Sequence, residues 1–145
     1  MLYKVALFIH VVNAIVTIGP LFAILVMIGR MKKMNDDSQF HGGIEGLRAM
    51  IRTVEIGGHY IVPTGLILVV LGGWSWTTSW IVVTLIFLGL CLIVLAKAFK
   101  PATNLIGSPK FTKELFIQKM YIATIVYMFI MAVLLWLMVA KPIFW

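Results

Sequence analysis

Residues 56 to 96 read IGGHYIVPTGLILVVLGGWSWTTSWIVVTLIFLGLCLIVLA and contain no Lys, Arg, Asp or Glu. One membrane crossing needs about 20 apolar residues, so this run is long enough for two. It is interrupted at Gly72-Gly73-Trp74-Ser75-Trp76-Thr77-Thr78-Ser79-Trp80, where glycines and small hydroxyl residues break the aliphatic pattern. The tryptophans suit a membrane interface, since an indole is apolar in body and has one N–H to place among headgroups. The run therefore divides into two antiparallel spans joined by a short turn.

Working outward, Val5 to Gly29 and Met120 to Ala140 also lack Lys, Arg, Asp and Glu, and each makes one further span. The expected spans are 5–29, 54–73, 79–97 and 119–140, and the second helix is able to start earlier, near Ile44, and project from the membrane. The whole chain, 1–145, reads as one membrane domain: an all-α, integral membrane, antiparallel four-helix bundle. With 62% hydrophobic residues and a mean hydropathy of +1.07, a soluble fold of this length is excluded.

The connections set the expected topology. Arg30, Lys32, Lys33, Arg48 and Arg52 flank the first, and Lys97, Lys100, Lys110, Lys113 and Lys119 flank the third; the middle one has no Lys or Arg. The positive-inside bias places the first and third in the cytoplasm and both termini outside, as expected for a multi-pass protein of the cytoplasmic (inner) membrane. The net charge of +7 is thereby explained by topology and the lipid bilayer, without nucleic acid. The N-terminal run exceeds a usual signal h-region and is expected to be retained. The single cysteine, Cys91, lies inside the third span and reads as a packing residue.

Function is concentrated on the second helix. Arg48, Arg52, Glu55, His59 and Pro63 fall within a sector about 80° wide that runs from the basic edge into the apolar interior. Ionisable groups at membrane depth are costly and mark functional sites. A neutral imidazole can ligate haem iron, and a porphyrin also needs cations for its propionates. Arg52 stands about 10 Å from His59 along the axis, a separation that suits a haem b or related porphyrin held at His59 with propionates toward Arg52, Arg48 or Lys97. Glu55 is placed to orient the imidazole, or else to neutralise Arg52 or Arg48.

The first span presents His10, Asn13 and Thr17 on one side, which should face the bundle. His10 is a second metal-ligand candidate, and its plainer role is a buried ring bonded to Asn13, a carbonyl or a partner hydroxyl. Counted from opposite membrane faces, His10 and His59 are expected about 10–15 Å apart in depth, which disfavours one iron between them. Gly58, Gly65 and Gly72 recur every seven residues as a helix-packing seam. On the last span, Tyr121, Thr124, Tyr127, Met128 and Met131 read as packing more readily than as a ligand pocket. The expected site is interior, made by the first, second and fourth spans.

The stretch Phe8 to Pro20, with its early histidine, and the second helix, with Glu55 and His59 ahead of Pro63-Thr64-Gly65-Leu66, resemble a family of small bacterial integral membrane proteins of unknown function. That family is similar to copper-resistance protein D and to HemJ-type protoporphyrinogen oxidases. The resemblance implies a haem or porphyrin role for some relatives, with His10 as a ligand candidate, and also suggests copper binding, for which the chain has no Met-x-Met or His-rich cluster; His59 is proposed from the stripe. Two other functions remain open. A small transporter or proton-conducting subunit would use Glu55 and His59 as a titrating pair, and a structural accessory subunit would dock the stripe on another copy or a membrane partner.

Overall fold

A computed structural model describes the backbone of residues 1–145 and all side chains except those of 93–96 and 98. The chain is predominantly helical: α1 (Leu2–Met31), α2 (Asp37–Leu71), α3 (Ser79–Ala98), a single turn α4 (Lys100–Thr103) and α5 (Lys113–Ala140). α1, α2 and α5 are long and apolar enough to cross a membrane, and α3 is apolar over Ser79–Leu92. The apolar exteriors of these helices fit a lipid bilayer, in which every backbone group must be satisfied within its own helix. α2 is longer than the expected 54–73 because Asp36 caps it, accepting a hydrogen bond from the Ser38 amide at 2.9 Å. α5 starts at Lys113, ahead of the expected 119, where the Thr112 hydroxyl accepts from the Leu115 amide.

α1 packs on α2 and α5, α3 packs on α5, and α2 meets α3 more lightly. The α1–α2 pair is an antiparallel hairpin with a register readable from its close approaches. Met31 lies beside Gly43, Met27 beside Gly46, Thr17 beside Gly57, and His10 beside Gly65. The small-residue seam thus runs through Gly43, Gly46, Gly57 and Gly65. Of the expected heptad, Gly65 belongs to this seam, Gly72 lies instead against the Trp74 ring, and Gly58 is buried. An added Cβ at Gly57 would overlap the Thr17 hydroxyl and lie 3.2 Å from Thr17 Cα, so backbone proximity itself demands glycine there.

The two ends of the molecule differ in chemistry. At one end α2 stops at Gly72 and Gly73, the latter with φ 66°, and the turn carries an edge-to-face Trp74–Trp80 pair, centroids 5.5 Å apart. Lys141 Nζ sits 4.9 Å and 5.7 Å from those two rings. The Ser79 hydroxyl donates to the Pro142 carbonyl and accepts from the Phe144 amide, so the segment after α5 lies beside the start of α3. At the other end Phe40, Phe111 and Phe116 form an aromatic cluster over which Lys113 reaches to Asp37, 2.7 Å away. The residues before α1 and after α5 share the tryptophan end, and the Lys- and Arg-rich connections share the other.

Candidate functional site

The seam determines what becomes of His10. Its ring is 7% exposed and rests against Gly65, where an added Cβ would come within 3.3 Å of Cε1. Nδ1 lies 2.9 Å from the Thr64 hydroxyl. That hydroxyl has one proton, and it also stands 2.9 Å from the Tyr60 carbonyl and 3.0 Å from that of Ile61, which can only accept. The arrangement that satisfies these contacts has Thr64 donating to its own helix and the His10 Nδ1–H donating to Thr64. His10 therefore joins α1 to α2 through a partner hydroxyl. Asn13 is half-buried one turn away, and its carbonyl accepts from the fully buried Thr17 hydroxyl at 2.7 Å.

His59 has the opposite surroundings. Its Nδ1 lies 2.6 Å from the Glu55 carbonyl, which can only accept, so Nδ1–H donates and Nε2 is the ring nitrogen left for another partner. The group that orients the imidazole is thus the main chain of Glu55, where the sequence points to the side-chain carboxylate. His59, Glu55, Arg52, Arg48 and Pro63 are all exposed on the outside of α2, which corrects the expectation of an interior site. The reason is geometric: α2 turns Val54, Gly57 and Gly58 inward, and the stripe lies on the opposite side of the same turns.

Register separates the two histidines. His10 is level with Thr64 and Gly65, about five or six residues beyond His59, or about 8 Å along the axis. That is less than the expected separation of about 10–15 Å, but one ring is inside the hairpin and the other outside it. The structure does not bring them together. Pro63 adds a further unmet demand, because it has no N–H to give to the His59 carbonyl one turn before it.

Among the described residues the one ion pair is Lys113–Asp37, so Glu55, Arg52 and Arg48 make none there. No three of His, Cys, Asp or Glu come together among the described residues. An open groove of about 650 Å³ lies at the basic end, lined by residues including Lys32, Asn35, Lys113 and Tyr121, and a second borders His41 and Phe111. Neither reaches His10 or His59. On α5, Thr124, Tyr127 and Met131 are buried and Tyr121 is exposed; Cys91 Sγ lies 3.8 Å from Met131 Sδ, as packing residues do.

Thr64 is a residue of the α1–α2 contact that the stripe and the glycine seam do not flag. Its hydroxyl bonds the carbonyls of Tyr60 and Ile61 on its own helix, as a helical threonine does, and no local pattern marks it as the partner of His10. The chain matches no protein-family model, and comparison with curated proteins and with solved structures finds no similar chain.

Proposed function

We propose that this is a small four-span protein of the bacterial cytoplasmic membrane that binds a b-type haem or related porphyrin on the outward face of α2, in an electron-transfer or redox role. The observation that carries the reading is the state of His59. Its Nδ1–H is held by the Glu55 carbonyl, leaving Nε2 as the exposed ring nitrogen at membrane depth, the one an iron ligand would use. Taking the outer membrane edge at Leu71, a core about 30 Å thick ends near Arg52, with His59 about 10 Å deeper. Arg52 and Arg48 then stand at the edge where propionates meet water. His10 and Asn13, engaged in the α1–α2 seam, fall outside this site. The resemblance to porphyrin-handling membrane proteins suggests a porphyrin role for some relatives but points to His10, not His59, as the ligand.

A second reading, a structural accessory subunit, is favoured by one observation: the exposed Arg48, Arg52 and Glu55 have no ion-pair partner among the described residues. The transporter reading needs a wet interior beside Glu55 and His59, and the outward position of both weighs against it.

The test is an absorption spectrum of the detergent-purified protein, oxidised and dithionite-reduced, before and after adding hemin. A Soret band with reduced α and β bands, lost in His59→Ala and kept in His10→Ala, is the expected result. Well-folded protein with no Soret band after hemin would put the accessory role first.

A further inference from the structure

The open groove at the basic end lies at a definite depth. Lys32 Nζ is 5.6 Å from the centre of the Tyr121 ring, which places that ammonium level with the start of the charge-free run from Met120 to Ala140. As a helix that run is about 30 Å long, the thickness of a hydrocarbon core, so Tyr121 stands at the edge of the core. Glu114, two turns earlier on α5, is about 10 Å farther toward water. The groove, about 650 Å³, therefore runs through the headgroup layer, and it is lined by the apolar Met34 and Ile117 together with Lys32, Glu114, Gln118 and Tyr121.

Two opposite charges stand in this groove without an ion-pair partner among the described residues: Lys32, nearer the hydrocarbon, and Glu114, nearer water. Lys113, also beside the groove, is committed to Asp37 at 2.7 Å. A purely anionic headgroup would meet Lys32 and leave Glu114 facing its own sign. A headgroup with a phosphodiester next to the glycerol and an ammonium on the water side has the complementary charges in the matching order. We propose that the groove binds the headgroup of a phospholipid that ends in a primary ammonium, a phosphoethanolamine lipid, in the leaflet at the Lys- and Arg-rich end. Lys32 donates to the phosphate oxygens, and the Glu114 carboxylate accepts from the ammonium. The side-chain carbonyl of Gln118, one turn along α5 on the same face as Glu114, is a second acceptor. A quaternary ammonium has no N–H for either acceptor, and the Tyr121 face that could attract it already has Lys32 over it, so choline lipids are disfavoured. Tyr121, exposed at the core edge, lies where the glycerol and first methylenes pass. The site is separate from His59 and does not depend on porphyrin.

The experiment titrates the delipidated full chain in mild detergent with phosphatidylethanolamine, phosphatidylcholine and phosphatidylglycerol of the same acyl chains, and counts bound lipid by native mass spectrometry. The expected result is one phosphatidylethanolamine per chain, bound about fivefold more tightly than either other lipid, as one ion pair at an interface allows. Glu114→Gln should lower phosphatidylethanolamine to the level of phosphatidylcholine, and Glu114→Lys should turn the preference toward phosphatidylglycerol. Lys32→Gln removes the phosphate contact common to all three lipids and should weaken each. Lys33→Gln makes the same change of charge outside the groove and should alter none of them. Lys32, Lys33 and Glu114 are exposed, so these variants keep the fold, which circular dichroism checks. Phosphatidylglycerol bound by the unaltered chain as tightly as phosphatidylethanolamine would reduce the effect to general attraction by the basic end and overturn the proposal. A preference for phosphatidylethanolamine that survives Glu114→Gln, or a loss in Lys33→Gln equal to that in Lys32→Gln, would overturn it as well.

Discussion

The face of α2 turned toward α1 and the face turned away from the bundle share the same helical turns and are built from different chemistry. Toward α1 stand Gly43, Gly46, Gly57 and Gly65, which let side chains of α1 touch the α2 backbone, and the Thr64 hydroxyl, which accepts a hydrogen bond from His10 Nδ1–H. Away from the bundle stand charges without an ion-pair partner among the described residues, and an imidazole with its Nε2 exposed. In a bilayer the two faces have separate tasks. Close packing of small residues contributes dispersion and excludes lipid, so the inner face holds the hairpin together. The outer face presents ionisable groups, which are costly at membrane depth. A histidine by itself therefore says little about function here: the buried one serves structure, and the exposed one is free for chemistry.

This contrast can be broken most sharply at Gly57. Gly57→Leu would drive a side chain into Thr17 and its backbone, and overpacking of this kind should cost about 3 kcal/mol. Reversible unfolding in mixed micelles should show the loss, and a stable Gly57→Leu protein would mean that α1 and α2 do not meet at this register. The next contrast sets the two histidines against each other. His10→Ala removes a buried ring and leaves the Thr64 hydroxyl without its donor, for a loss of about 2 kcal/mol. His59→Ala, on the exposed face, should change the stability of a single chain by no more than about 0.5 kcal/mol. Equal losses in the same unfolding experiment would erase the distinction between the faces. The smallest effect on the seam is expected at Gly43→Ala. The added Cβ meets the end of Met31, a flexible side chain, at 3.0 Å, so stability should shift by less than about 1 kcal/mol, as the same unfolding measurement would show.

Much of the hairpin is legible in the sequence, because span length and charge-free runs are properties of single segments. The break at Gly72 to Trp80, the early start of the second helix and the inward side of His10, Asn13 and Thr17 all follow from local pattern. The direction of the stripe does not. A polar sector on a membrane helix has the same 3.6 periodicity whether it faces the bundle or its exterior, and only the position of the neighbouring helix distinguishes them. Gly57, directly before Gly58, is the signal that bears on it. Together with Gly43, Gly46 and Gly65 it makes a seam facing α1, and a helix that packs on that seam leaves the stripe outside. The register between His10 and Thr64 is hidden for a related reason: it depends on how far α1 slides along α2, which Thr17 at Gly57 determines.

The α1–α2 seam also bears on biogenesis. Its two helices are neighbours in sequence, joined by the short turn after Met31, so all its contacts can form while α3 and α5 are still being synthesised. The hairpin can partition into the bilayer as a zipped unit with its outer stripe bare. If the accessory role holds, a chain made without its partner would leave ionisable groups of the stripe uncovered in the membrane. On that reading, cellular abundance would follow the supply of the partner more closely than the rate of translation.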